Sequence, residues 1–253
     1  MELRNTSAIV TGAASGLGRA TAEALAAAGA SVFGIDLQGS ISQAEPIEGV
    51  TFVVADVTDV ESVRVAVAVA AGFVDPLRTV VNCAGVGTAG RILDKDGTPT
   101  DPAVFAKVVQ INLIGTYNVL ALASAEIAKT DVLEHGARGV IINTASVAAY
   151  EGQIGQEAYA ASKGGVVGLN LPAARDLAQY GIRVNTIAPG IVETPMLAGI
   201  NEEFQKTLAA GVPFPKRLGR PDEYAELARF IVEHDYINGE VIRMDGALRM
   251  APR

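Results

Sequence analysis

The fold is decided by the stretch Ser7-Ala8-Ile9-Val10-Thr11-Gly12-Ala13-Ala14-Ser15-Gly16-Leu17-Gly18. Its first five residues are typical of a buried strand, its glycines follow the spacing G-x-x-x-G-x-G, and an alanine-rich helical segment comes next. Glycines at such a turn let the backbone approach a pyrophosphate closely, and the N-terminus of the following helix stabilises the negative charge. The stretch therefore predicts a dinucleotide-binding loop built on Gly12, Gly16 and Gly18.

Beyond this loop, short β-branched runs alternate with longer alanine-rich segments, which is typical of βαβ units around a parallel sheet. Neither a Gly/Pro/Ser-rich linker nor a repeat divides the sequence, so one domain is predicted over residues 1–253. The predicted fold class is α/β, a single-domain Rossmann-type doubly wound parallel sheet of about seven strands with helices on both faces. Strands are predicted near 7–11, 31–36, 51–55, 78–82, 138–143, 181–187 and 240–243, and helices near 16–28, 59–71, 102–129, 153–179, 202–209 and 221–233.

The segment from Val63 to Val69 alternates apolar residues with period two, which locally favours a strand. We predict a helix instead, because parallel neighbouring strands require a crossover connection. Thr58 and Glu61 also have the spacing of a capping box immediately before the segment.

Composition limits the possible partners. Hydrophobic residues make up 49% of the chain, and the formal net charge is −8, so a basic surface for nucleic acid is not expected. The longest apolar run, about residues 65–74, is shorter than the ~18 residues of a membrane span, so no membrane partner is predicted.

Strand-like sequence from Ser7 leaves no room for a signal peptide, and a cytoplasmic location is expected. No metal site is predicted, since no cluster has metal-ligand spacing.

Asp36 ends the second predicted strand, eighteen residues beyond Gly18, close to the spacing of a ribose-binding acid. Its carboxylate can accept hydrogen bonds from a 2′-hydroxyl but would repel a 2′-phosphate. Neither Ser15 nor Leu37 offers the cation that NADP recognition requires. Asp36 therefore predicts NAD as the cofactor.

Tyr159 and Lys163 lie four residues apart, which places them on one face of a helix, and Ser146 follows a predicted strand. A phenol is too weak a base at neutral pH, and a nearby ammonium is one way to favour its ionised form. The spacing alone also fits an ordinary surface pair, so the acid/base interpretation depends on the rest of the chain.

Together these motifs resemble the short-chain dehydrogenase/reductase family. The resemblance rests on T-G-x-x-x-G-x-G at Thr11 to Gly18, Asn82-Cys83-Ala84-Gly85, Asn112, Ser146, Tyr159-x-x-x-Lys163 and Pro189-Gly190. Cys83 replaces the commoner second Asn of N-N-A-G.

The second half is similar to type II 3-hydroxyacyl-CoA dehydrogenases, a branch also called 17β-hydroxysteroid dehydrogenase type 10. The similar segments are Gly139 to Gln153, Ala188-Pro189-Gly190, Val212 to Pro215 and Gly239 to Ala247, together with an insertion at Val86 to Pro102. The resemblance implies NAD-dependent interconversion of 3-hydroxyacyl-CoA and 3-oxoacyl-CoA, and a homotetramer. A hydroxysteroid or other secondary-alcohol dehydrogenase, a 3-oxoacyl-carrier-protein reductase and a non-catalytic NAD-binding scaffold stay open as alternatives.

The resemblance also assigns roles to individual residues. Ser15 and Leu17 would contact the pyrophosphate, Asp36 the adenosine ribose, and Asp56 with Val57 the adenine. Cys83 would line the cofactor and Gly85 would allow its close approach, while Lys163 would hold the nicotinamide ribose and Val192 and Thr194 would meet the carboxamide. Tyr159 would be the general acid/base, Ser146 would hold the substrate oxygen, and Asn112 would hold a water in a proton relay through Lys163.

The substrate end is less sharply defined. Gln153 and Gln156 follow Ser146 and are predicted to line the substrate site, although surface polarity explains either nearly as well. The Gly/Pro-punctuated stretch 189–215 is predicted to be a mobile flap. Its apolar residues could accommodate an acyl chain or a steroid, and ordinary packing explains half of them equally well; they are Met196, Leu197, Ile200, Phe204 and Phe214.

Overall fold

The computed structural model describes residues 1–197 and 202–252, and within them the chain forms one parallel sheet of seven strands. The strand order is β3-β2-β1-β4-β5-β6-β7, so the direction of winding reverses between β1 and β4. All six neighbouring pairs are parallel, which confirms the predicted doubly wound topology. The strands are β1 Ser7–Thr11, β2 Ser31–Asp36, β3 Val50–Val54, β4 Leu77–Asn82, β5 Gly139–Thr144, β6 Ile182–Pro189 and β7 Val241–Met244.

Helices cover both faces of the sheet. The α-helices in the described residues are α1 Gly16–Ala27, α2 Gln38–Ile41, α3 Val60–Ala71, α4 Pro102–Val109, α5 Thr116–Ile127, α6 Glu157–Leu177, α7 Glu202–Ala210 and α8 Pro221–Glu233. A π-helical segment, Gln110–Gly115, joins α4 to α5. The short helix α2 was not predicted, and α6 begins four residues later than predicted because Gly155 adopts a left-handed conformation with φ +85°.

Two apolar clusters hold the layers together. On one face, Ile9 and Ile141 of the sheet belong to a cluster with buried residues of α3, α5 and α6. On the other face, Val10 and Ile142 pack with buried residues of α1 and α8. Successive strand residues thus point to opposite faces and are buried on both, as expected for a sheet covered on two sides.

The predicted helix at residues 63–69 is confirmed, but its predicted cap is wrong. The Asp59 carboxylate accepts hydrogen bonds from the backbone N–H groups of Glu61 and Ser62, at 2.9 and 3.3 Å. Thr58 instead donates its hydroxyl to Asp56. A charged side chain one residue nearer the helix therefore takes the capping position.

The run from Pro102 to Ile127 is long and apolar enough to cross a bilayer, by length and composition alone. The core helix of a globular domain satisfies the same criteria. Here Val119, Leu120 and Ala123 are buried in the core cluster with α3, so packing within the fold accounts for much of this apolar character.

The predicted flap at 189–215 contains a short 3₁₀ turn, Pro195–Leu197, and α7. Ile200 lies outside the described residues, and so do the side chains of Met196 and Phe204. Leu197 contributes to the wall of the main cavity, whereas Phe214 is 81% exposed and does not. Mobility of the flap stays a prediction.

Candidate active site

A cavity of about 930 Å³ opens at the carboxyl ends of the central strands. It lies where the winding reverses between β1 and β4, which is where ligands bind in open α/β sheets. The predicted site residues on its wall are Gly12, Ser15, Gly16, Leu17, Gly18, Asp36, Asp56, Val57, Cys83, Gly85, Ser146, Gln156, Tyr159, Lys163, Val192 and Thr194. Gln153 and Asn112 are not brought to this wall.

The glycine loop needs its glycines for two different reasons. Gly12 has φ +67°, a left-handed conformation that residues with a Cβ rarely adopt. A Cβ on Gly18 would lie 2.2 Å from the carbonyl oxygen of Gly12, so α1 can begin against the loop only with glycine there. The Thr11 hydroxyl accepts hydrogen bonds from the backbone of Cys83 and Ala84, at 3.1 and 3.0 Å, and ties the loop to the end of β4.

The Asp36 carboxylate is fixed at the end of β2. One oxygen accepts a hydrogen bond from the backbone of Ala14 at 3.0 Å, and the other accepts one from Leu37 at 2.8 Å. Each carboxylate oxygen can accept a further hydrogen bond, so Asp36 positions the glycine loop and still presents acceptors to the cavity. Asp56 and Val57 follow β3 and form the neighbouring part of the wall.

Ser146 and Tyr159 meet at the other end of the cavity. Ser146 is buried directly after β5, where its hydroxyl accepts a hydrogen bond from the backbone of Ala148 at 3.1 Å. Burial raises the pKa of the Tyr159 phenol, and its hydrogen bond with Ser146 opposes part of that rise. In the protein alone the phenol is therefore held in its protonated form at neutral pH.

Lys163 lies one helical turn from Tyr159, with its Nζ 5.8 Å from the centre of the tyrosine ring. It is only 4% exposed, and its ammonium donates to the carbonyl of Thr144 at 2.8 Å. Burial lowers the pKa of Lys163 to about 8. The expectation that Lys163 lowers the pKa of Tyr159 is not met in the protein alone, because burial dominates the environment of both groups.

Asn112 lies in the π-helical segment and is fully buried. Its side chain accepts from the backbone N–H of Val86 at 2.8 Å, donates to the Val86 carbonyl at 2.9 Å, and donates to the Ser162 hydroxyl at 3.0 Å. Asn112 thereby fixes the chain directly after Gly85 and joins it to the helix that carries Tyr159 and Lys163. Its role in holding a relay water stays a prediction.

The two glutamines predicted for the substrate site have different positions. Gln156 is on the cavity wall, and its Oε1 accepts from the backbone of Gln153 at 3.0 Å. Gln153 directs its side-chain amide to the carbonyl of Ala251, also at 3.0 Å. Gln153 thus contacts the C-terminal segment and is not part of the cavity wall, and its role in substrate binding stays a prediction.

Sequence reasoning missed two contributors to this site. Thr144 supplies the carbonyl that holds Lys163, and Met250 lies on the cavity wall. A backbone carbonyl leaves no sequence signal, and Met250 reaches the site from the far end of the chain. Neither could be found from local spacing.

Comparison with known proteins agrees with this geometry. A family model described as "Enoyl-(Acyl carrier protein) reductase" matches residues 12–248. The chain is 49% identical over 249 residues to 3-hydroxyacyl-CoA dehydrogenase type-2 of Homo sapiens, covering 97% of this chain and 95% of that protein. It is 48% identical over 254 residues to the protein of the same name from Drosophila melanogaster, covering 99% and 100%.

The chain therefore belongs to the short-chain dehydrogenase/reductase family, whose members are oxidoreductases that use a nicotinamide dinucleotide. Among solved structures it is similar to the crystal structure of 3-hydroxyacyl-CoA dehydrogenase type-2 from Mycobacterium avium. The TM-score is 0.91 at 47% identity, and the match covers 98% of both chains.

Proposed function

We propose that the protein interconverts 3-hydroxyacyl-CoA and 3-oxoacyl-CoA with NAD as its cofactor. The observation that carries the proposal is one continuous cavity with Asp36 and the glycine loop at one end and Ser146 with Tyr159 at the other. The substrate class is supported by 45–49% identity to proteins named 3-hydroxyacyl-CoA dehydrogenase type-2 over nearly their full length.

The residues present fit a nicotinamide dinucleotide. The glycine loop and the start of α1 line the cavity where a pyrophosphate would lie, and Gly85 keeps the chain close to Asn112 and Lys163. When bound, the cofactor supplies the carbon that accepts or donates hydride. Val192 and Thr194 after β6 would hold its carboxamide end, and Lys163 would hold the adjoining ribose.

The preference for NAD over NADP follows from charge. Asp36 presents carboxylate oxygens to the cavity, where they can accept from ribose hydroxyls but would repel a 2′-phosphate. The cationic side chains among the described wall residues are Lys107 and Lys163, and neither belongs to the glycine loop or to the segment after β2.

The proton chemistry depends on Tyr159. In oxidation, Tyr159 would accept the proton of the substrate hydroxyl, and the bound cofactor would supply the acceptor for the hydride, so that two electrons and two hydrogens leave the substrate. Ser146 holds the substrate oxygen throughout. In reduction, the raised pKa of Tyr159 keeps the phenol protonated and ready to donate. In oxidation, the positive charge of the oxidised cofactor would add to that of the Lys163 ammonium, and together they would favour the phenolate that burial alone disfavours.

We also propose a homotetramer. Support comes from the family resemblance and from apolar side chains left exposed on the helical run 102–117. These are Val104, Phe105, Ile114 and Tyr117, each between 40% and 52% exposed. Sedimentation velocity tests this assembly, and a monomer at micromolar concentration would contradict it.

Initial rates of cofactor oxidation test the function. We expect acetoacetyl-CoA with NADH to give the highest kcat/KM, above an acyl-carrier-protein thioester and above a steroid ketone. A higher value for the steroid would establish the secondary-alcohol alternative instead. Equal rates with NADPH would refute the role of Asp36, and NADH binding without turnover on any ketone would show a binding scaffold.

A further inference from the structure

The C-terminal segment Leu248–Pro252 ends beside the substrate end of the cavity. Met250 is on the cavity wall together with Ala148 and Gln156, both of which follow Ser146 in the chain. The cofactor phosphates belong at the opposite end, where the glycine loop lies. Met250, whose backbone contacts Glu151, therefore lines the part of the cavity that follows Ser146 rather than the part formed by the glycine loop.

Three hydrogen bonds fasten this segment to the loop Glu151–Ile154. The backbone N–H of Met250 donates to the Glu151 carboxylate at 3.1 Å. The Gln153 amide donates to the Ala251 carbonyl at 3.0 Å, and the Ile154 N–H donates to the Pro252 carbonyl at 3.1 Å. Since three consecutive residues are held, the backbone that carries the Met250 side chain has a defined position against this loop.

Glu151 is itself held by Arg243 of β7. The guanidinium donates from both terminal nitrogens to the two carboxylate oxygens, at 2.9 and 3.2 Å. The same guanidinium donates to Asp245 at 2.7 Å and to the carbonyl of Leu248 at 3.1 Å. A bidentate pair of this kind has a defined geometry, so the last strand, the loop after Ser146 and the C-terminal segment are joined by one side chain.

We propose that Met250 determines which acyl chain lengths the enzyme accepts, with Arg243 and Glu151 as the residues that position it. The proposal rests on the proposed function. Methionine is apolar, unbranched and adaptable, which suits a wall that closes against an alkyl chain. Ala148 and Leu197 are further apolar residues of the same cavity wall.

The test is a chain-length series of 3-oxoacyl-CoA substrates with four, six, eight and ten acyl carbons. It compares the parent protein with Met250→Ala, Met250→Trp and the control Ala251→Val, whose position is outside the cavity wall. The measured quantity is the kcat/KM for the eight-carbon substrate divided by the kcat/KM for the four-carbon substrate. Met250→Ala should raise this ratio by at least about threefold, since one methylene in an apolar pocket changes kcat/KM by about tenfold or more. Met250→Trp should lower that ratio, and Ala251→Val should leave it unchanged.

Glu151→Gln tests the positioning pair, because it keeps the shape of the side chain and removes its charge. We expect its chain-length ratio to move toward that of Met250→Ala, with NADH affinity unchanged. A parent protein inactive on every acyl-CoA would refute the proposed function. An active parent whose ratio is the same in Met250→Ala and Met250→Trp would refute the role of Met250 alone, and thermal unfolding verifies that each variant is folded.

Discussion

Replacing Gly18 by alanine should damage the glycine loop more than any comparable change near it. The added Cβ would lie 2.2 Å from the Gly12 carbonyl oxygen and 2.9 Å from that of Thr11. Relieving these contacts requires a shift of roughly 1 Å between α1 and the loop, and overpacking of this kind costs about 1–3 kcal/mol. Alanine's smaller unfolded-state entropy recovers less than about 1 kcal/mol.

The same shift should weaken cofactor binding. Loss of one hydrogen bond from the loop to a phosphate oxygen costs about 1.5–3 kcal/mol, which is roughly a 10- to 100-fold rise in the Kd for NADH. Urea unfolding measures the stability, and NADH fluorescence titration measures the affinity. The matched control is Gly39→Ala in α2, where an added Cβ meets nothing within 4 Å. Unchanged stability and unchanged NADH affinity in Gly18→Ala would refute the steric argument.

Three further predictions concern the proton chemistry and the helix cap. Tyr159→Phe should lower kcat by about 10²–10⁴-fold while NADH affinity stays within about twofold, and undiminished turnover would disprove its role. The lowered pKa of Lys163, about 8, means that burying its charge costs stability below pH 8 and that this cost disappears toward pH 10.5. The free energy of unfolding of the parent, relative to Lys163→Met, should therefore rise between pH 8 and 10.5 by up to roughly 3 kcal/mol in urea unfolding, and a constant difference would contradict the pKa. Asp59→Ala should cost about 0.5–2 kcal/mol of stability with kcat unchanged, whereas Thr58→Ala should cost less, and the reverse order would contradict the observed cap.

Much of the fold could be predicted because its signals are local. The strand from Ser7 and the glycines after it specify a βα unit within twelve residues, and each later unit repeats that alternation. The helix at residues 63–69 could be predicted only from the topology of the sheet. Its period-two pattern favours a strand, whereas the crossover connection between β3 and β4 requires a helix. The start of α6 was placed four residues too early because the left-handed turn at Gly155 precedes it.

Of the active site, the sequence by itself determined the residue types and their spacing: Tyr159 and Lys163 on one helical face, Ser146 after a strand, and Asp36 after the glycine loop. These features depend on helical and strand geometry over a few residues, so they can be predicted from the sequence without a structure. Only the tertiary structure decided that burial sets the direction of both the Tyr159 and the Lys163 pKa shifts.

The tertiary structure also decided what surrounds the substrate. It turned Gln153 toward Ala251 and brought Met250 to the cavity wall through Glu151, a residue 99 positions earlier in the chain. Burial and contacts between distant segments depend on how whole layers pack, and no local pattern records them. The sequence therefore determined the chemistry of this protein, while packing determined the shape of the space in which that chemistry takes place.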